Sequence, residues 1–257
     1  MKRYFVKLSY DGTQYSGWQI QPNAHTVQAE LENQLTRLNS GVIIKIMGCG
    51  RTDAGVHAKN FFMHMDFPEI TDVNNILFKL NNMLPPDIVV HDIFEVSSNA
   101  HTRFNATGRT YHYNIHTSKD PFSKRFSYQY FGELNIEQMN QGAKLLLDYD
   151  DFEAFSKVKT EVNTFICNVT DANWIETASG YRFTITADRF LRNMVRAIVG
   201  TLLEVGSGKL SIDDFEKVIL KKSRSNAGKS VPARGLCLVN VNYPPDLIRN
   251  SLLKRID

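Results

Sequence analysis

Hydrophobic residues in this chain recur with two periods, and the order in which those periods follow one another is nearly the same in each half. Residues 5–10 form a strand-like run. After Thr26, a residue suited to an N-cap, Val27, Leu31, Leu35 and Leu38 keep to one helix face, and Gly41 stands just past the end. Residues 42–47 are β-branched and apolar, and in 61–67 Phe61, Met63, Met65 and Phe67 alternate with Phe62, His64 and Asp66, so two strands are predicted. A second helix is predicted from Asp72, with Val73, Ile76, Leu77, Leu80 and Met83 on one face and Pro85-Pro86 as its stop. Residues 88–96 close this half as a strand, and its order is β-α-β-β-α-β.

The second half approximates the first. Tyr111, Tyr113 and Ile115 alternate with His112, Asn114 and His116; Asn135 with Gln138 imitates a capping box ahead of a helix over 136–147. Strands near 165–177 and 181–187, a long helix over 190–205, a short one from Ser211 and a strand over 236–242 follow. At about 150 residues per domain, 257 residues suffice for one large or two small cores. The expected fold is α+β: two ferredoxin-like split β-α-β halves, 1–105 and 106–257, with antiparallel sheets, helices packed on one face and a cleft at the seam.

Composition excludes several classes. Hydrophobic residues make up 42% and charged residues 22%, ordinary globular values that leave no room for a disordered chain. The most apolar window, 194–205, carries Arg196 and Glu204 and falls short of the roughly 18 apolar residues of a membrane span. Lys7 interrupts the N-terminal apolar run too early for a signal peptide. Cys49, Cys167 and Cys237 are odd in number and far apart, against a disulfide framework or a zinc knuckle, so a cytoplasmic protein is expected. The net charge of +3 is too small to argue a nucleic-acid partner without knowing how it is distributed.

The densest cluster of special residues is Gly48-Cys49-Gly50-Arg51-Thr52-Asp53-Ala54-Gly55-Val56-His57, between two predicted strands. A hairpin needs fewer glycines; these permit unusual backbone angles and close approach of a ligand. Asp53 suits a nucleophile or base, with Arg51 to keep it ionised and oriented; the plainer reading is an Asx-turn beside a surface ion pair. In this loop no Gly-Lys-Ser or Gly-Lys-Thr closes a Walker pattern and no G-x-G-x-x-G leads a helix, so nucleotide hydrolysis is not expected of it. His112 and His116 share a strand face without a third ligand nearby, and no metal site is predicted.

Basic residues collect late in the chain. Lys221, Lys222, Arg224, Lys229 and Arg234 occur with no acidic residue between 221 and 235. With Arg103, Arg109, Lys124 and Arg125, and with Tyr111, Tyr113, Phe122, Phe126, Tyr128 and Tyr130, they suit phosphate contacts beside aromatic platforms. A solvated face and a sheet core are the plainer readings of the same residues. Arg192 and Arg196, four apart on the predicted 190–205 helix, either form a solvated edge or reach a buried anion such as Asp53.

Several motifs together resemble the bacterial tRNA pseudouridine synthase A family. They are Tyr10-Asp11-Gly12-Thr13-x-Tyr15-x-Gly17-Trp18-Gln19-x-Gln21-Pro22, Thr26-Val27-Gln28, and the 50–58 run from Gly50 to Ala58. Arg103-Phe104-x-Ala106-Thr107-x-Arg109-x-Tyr111-x-Tyr113, Asp151-Phe152-x-x-Phe155, Met194-Val195-Arg196-x-Ile198-Val199-Gly200 and Ala233-x-Gly235-Leu236-x-Leu238 follow in the family's order. The resemblance covers nearly the whole chain. It implies a cofactor-free homodimeric enzyme of two ferredoxin-like halves, which binds tRNA across both subunits. The reaction it implies is isomerisation of uridine to pseudouridine at nucleotides thirty-eight to forty of the anticodon stem-loop. By match Asp53 is the nucleophile, Arg196 the arginine paired with it, Tyr111 the ring stacked on the target base, and Arg51 an aid to entry of the flipped base. One departure is Asn163-Thr164-Phe165, where the family often has a basic residue; it bears on tRNA backbone contacts.

The chemistry suits these residue types. Exchanging a carbon–nitrogen glycosidic bond for a carbon–carbon one needs a fixed carboxylate, and an Asp of reference pKa near 3.9 is ionised at pH 7. Attack on C1′, attack on C6 and elimination at the sugar all use it. Tyr111 is a candidate for removing the C5 proton, although a reference pKa near 10 makes it a poor base unaided. Flipping the base costs a few kcal/mol, which stacking and phosphate contacts from Arg109, Lys221, Lys222 and Arg224 can offset. The competing readings are a non-catalytic RNA-binding protein of two ferredoxin-like modules, which would not need Asp53, and a metal-dependent nuclease, for which no carboxylate cluster is evident.

Overall fold

The computed structural model describes residues 1–158 and 162–248. It is a mixed α/β protein that divides into two compact units, one made of Met1–Thr107 with the residues from Leu238 onward, the other of Gly108–Cys237.

In the first unit β1 (Lys2–Tyr10) lies between β3 (His57–Phe67) and β4 (Ile88–Val96), antiparallel to both. The short β2 (Ile46–Gly48) pairs with β3, giving the spatial order β4-β1-β3-β2. Phe61, Met63 and Met65 are buried as their alternation predicts, and Phe62 and His64 on the opposite face are buried too. Helix α1 (Val27–Leu38) begins at Thr26, whose hydroxyl accepts the Ala29 amide, and buries Val27, Leu31 and Leu35. Helix α2 (Val73–Met83) is capped by Asp72 in the same way.

Of the strand predicted over 42–47, only its last two residues pair with β3. Side chains of α1 take the backbone donors that a longer strand would use: the Ile44 amide donates to Thr36 Oγ1 (3.1 Å) and the Ile46 amide to Glu32 Oε1 (3.2 Å). Val42 and Ile43, apolar and β-branched, are left 61% and 71% exposed.

The second unit repeats the order with β5 (Gly108–His116), α3 (Ile136–Leu145), β7 (Val169–Thr177), β8 (Gly180–Ala187), α4 (Met194–Gly206) and α5 (Ile212–Leu220). Its strands run β5-β8-β7, antiparallel throughout. A two-residue strand, β6 (Tyr128–Gln129), joins β5 in parallel, a departure from the all-antiparallel expectation. Helix α4 starts four residues later than predicted: Asn193 in front of it is left-handed, at φ 67°, and no side chain caps the helix. Arg192 and Phe190 therefore lie outside the helix. The last strand, β9 (Leu236–Asn242), has the predicted bounds.

Candidate active site

The 48–57 loop is held by the segment that follows β1, some forty residues earlier in the chain. Tyr10 Oη and Thr52 Oγ1 form a buried hydrogen bond of 2.9 Å. The Trp18 amide donates to the Thr52 carbonyl and the Gly55 amide to the Tyr15 carbonyl. The Trp18 indole stacks on Phe61 with centroids 4.0 Å apart, and its edge lies over the backbone of Gly48. His57 is buried, with Nδ1 3.0 Å from Asp11 Oδ1 and 3.1 Å from the Gly12 amide.

Gly17 packs directly against the Asp53 end of the loop. Its φ is +91°, and a Cβ there would stand 2.4 Å from the Thr52 carbonyl oxygen and 3.2 Å from the Asp53 carbonyl carbon. Only glycine permits both the angle and the approach. The Val56 amide then returns to the Asp53 carbonyl (3.1 Å), closing a turn that carries Asp53, half-buried, at its start. The motif 10–18 is thus the seat of the loop, a role that sequence inspection does not assign to Tyr10, Gly17 or Trp18.

Arg51 is exposed, and among the described residues no ion pair joins it to Asp53. Arg51 is thus an exposed neighbour of the turn, which packs against Gly17.

In the second unit Tyr111 lies on β5 opposite Ile185, half-buried, with Phe190 packed edge-on against it at 5.2 Å. Arg109, two residues before it, donates to the Asp188 carbonyl at 2.6 Å. Tyr113 is buried and its hydroxyl donates to the Pro232 carbonyl, so this ring belongs to the core. Arg196 lies on α4 and exchanges two hydrogen bonds with Val231: its Nε donates to the Val231 carbonyl (2.8 Å) and its carbonyl accepts the Val231 amide (3.1 Å).

The basic run is a strap fastened to α4. A Cβ on Gly200 would come within 1.9 Å of the Lys229 carbonyl oxygen, so the strap crosses the helix at backbone contact. Thr201 Oγ1 accepts the Gly228 amide, and Asn193 donates to Ser230 Oγ at 2.6 Å. One of its charges is opposed, although the run itself holds no acidic residue. Lys222 Nζ is 2.7 Å from Asp151 Oδ2, a partner some seventy positions away that inspection of the run itself cannot find. Burial raises the Asp151 carboxyl, but the Lys222 hydrogen bond and charge and the Glu153 amide outweigh it and hold it below the usual carboxylate range. Arg224 donates to the Ala227 carbonyl and to Ser230 Oγ, bracing the strap. Lys221 stays exposed at the end of α5.

Residues 143–244 match the model of a family described as tRNA pseudouridine synthase. The chain is 48% identical over 260 residues to the tRNA pseudouridine synthase A of Bacteroides thetaiotaomicron, covering all of this chain and 96% of the relative. That of Parabacteroides distasonis is 51% identical over 96% of this chain and 98% of its own length. The Bacillus subtilis protein of the same name is 39% identical over 92% and 97%. With identities of this size along its whole length, the chain belongs to the tRNA pseudouridine synthase A family.

Proposed function

We propose that the protein is a cofactor-free isomerase that converts uridine to pseudouridine at nucleotides thirty-eight to forty of the tRNA anticodon stem-loop, with Asp53 as nucleophile. The observation that carries this reading is the seat of the Asp53 turn. Backbone contacts at Gly17, a buried hydroxyl pair and two amide hydrogen bonds fix a polar loop from beneath. A turn held in that way fixes the backbone from which the Asp53 carboxylate projects before substrate arrives, and a fixed origin is what a positioned nucleophile requires.

Arg196 is the second catalytic position and Arg51, exposed beside the turn, aids entry of the flipped base. Tyr111 stacks on that base, worth about 1 to 3 kcal/mol. Arg109, Lys221, Lys222 and Arg224 hold phosphates. The β4-β1-β3-β2 order of the first unit supports reading it as ferredoxin-like, and β5-β8-β7 supports the same for the second. A homodimer follows from the family resemblance. Cys49, Cys167 and Cys237 are buried outside any disulfide, which agrees with a cytoplasmic setting, and among the described residues no helix is long and apolar enough to cross a membrane.

On each route open to the carboxylate the N1–C1′ bond breaks, a C5–C1′ bond forms and the C5 proton leaves. Incubation with tRNA carrying tritium at uridine C5 therefore reports turnover. Wild-type protein is expected to release tritium without strand cleavage, and Asp53→Asn to abolish release while RNA affinity stays within about twofold, since the amide keeps the shape and loses the nucleophile. Release by the variant near the wild-type rate overturns the role of Asp53. Binding without release by the wild type identifies a non-catalytic RNA-binding protein instead.

A further inference from the structure

Between Glu95 and Asp120 the sequence carries no acidic residue, but it carries Arg103, Arg109, Lys119 and three histidines. Near its start stands Phe104, a phenyl ring 75% exposed to solvent. An exposed ring of that size forfeits the gain of burial, and here it is held out by a hydrogen-bonded turn. His101 Nδ1 accepts the amides of Arg103 (3.1 Å) and Phe104 (3.3 Å), and the Asn105 amide returns to the His101 carbonyl. Thr102, fully buried, bolts the turn down: its hydroxyl donates to the Met47 carbonyl and its carbonyl accepts the Tyr243 hydroxyl.

The ring has two polar neighbours. The His101 imidazole lies 4.2 Å from it, centroid to centroid and tilted 32°, and the Arg103 guanidinium carbon is 5.7 Å from its centroid. Burial and the nearby charges of Arg3 and Arg103 lower the His101 pKa, so at neutral pH the imidazole is an uncharged second ring. A pre-oriented aromatic surface with a guanidinium beside it is the chemistry that takes a nucleobase and its phosphate. The Met47 carbonyl that anchors the turn precedes the Gly48–His57 loop by a single residue, which ties this surface to the Asp53 seat.

We infer that the 101–105 turn is an RNA contact: Phe104 stacks an unpaired nucleobase flanking the target uridine, and Arg103 takes the adjoining phosphate. The inference rests on the proposed tRNA substrate and adds a position that the catalytic residues do not include.

The test is equilibrium binding of a synthetic tRNA anticodon stem-loop to the full-length protein. Phe104→Ala weakens binding roughly five- to a hundredfold, the range for loss of one base–aromatic stack. Phe104→Tyr keeps wild-type affinity. Because the ring is exposed, Phe104→Ala leaves Tm within about 2 °C of wild type, so the loss is not one of folding. Arg103→Gln flattens the slope of log K against log salt by about 0.7, one single-strand phosphate contact. Wild-type affinity in Phe104→Ala overturns the inference, with the proposed function left standing. A shift of oligomeric state in sedimentation by Phe104→Ala, with affinity per protomer unchanged, assigns the ring to contact between copies and overturns it as well. If the wild type itself fails to bind the stem-loop, the proposed substrate falls and this contact falls with it.

Discussion

A methyl group on Gly17 would meet backbone atoms on the far side, the Thr52 carbonyl oxygen at 2.4 Å and the Asp53 carbonyl carbon at 3.2 Å. No side-chain rotation relieves that clash. Gly17→Ala therefore displaces the turn that carries the nucleophile, and misplacement by about 1 Å costs roughly a hundredfold in rate. Tritium release is expected to fall by that order while stem-loop affinity stays within a few fold. A Cβ on Gly50 meets nothing within 4 Å, so Gly50→Ala is the matched control and keeps the wild-type Tm. A pH dependence is expected from His64, which burial and the nearby charges of His101 and Arg3 push down to about 4. The unfolded imidazole titrates near 6.5. Between those values the unfolded chain binds a proton that the folded chain does not, so stability falls as pH drops from about 6.5 to about 4. In His64→Asn the decline of Tm across that window is shallower, which a series of melts will register. At this scale the sequence nominated Asp53 by the glycines around it. It did not reveal the Tyr10–Thr52 pair, because nothing in local spacing links residues forty positions apart.

Element boundaries were legible wherever a local signal marks them. Thr26, Asp72, Asn135 and Ser211 each cap the helix that the sequence assigns to them, with the side chain accepting a first-turn amide. Helix α4 has no such cap and opens from a left-handed Asn193, so its apolar stripe was read one turn too far back. The strap from α5 back along α4 was visible as charge and invisible as structure. Its partners set what it can contribute to RNA binding. Lys222 is already paired with Asp151 and Arg224 already braces Ser230. Replacing Lys221, Lys222 and Arg224 with alanine is therefore expected to flatten the salt slope by about one to two units. Three full contacts at about 0.9 each would give nearly three, taking duplex DNA as the guide. Turnover at saturating tRNA changes far less, since phosphate contacts hold ground state and transition state alike. A slope equal to the wild type's would remove the strap from the interface.

At the scale of the molecule, the mixture of strands and helices was readable from hydrophobic period. Period reports which face of an element is apolar and says nothing about which unit a late segment joins. Residues from Leu238 onward cluster with Met1–Thr107. Tyr243 packs its ring against Phe5 and Phe62, at 5.6 and 5.2 Å between centroids, and Asn60 donates to the Val239 carbonyl. The unit that carries Asp53 is thus discontinuous, with the whole of Gly108–Cys237 inserted between its two pieces. On a ribosome adding about 5 to 20 residues per second, that insertion takes roughly 7 to 26 s to synthesise. Tyr243 is made only after that interval, so the ring contacts it supplies to Phe5 and Phe62 wait for the whole of the inserted unit.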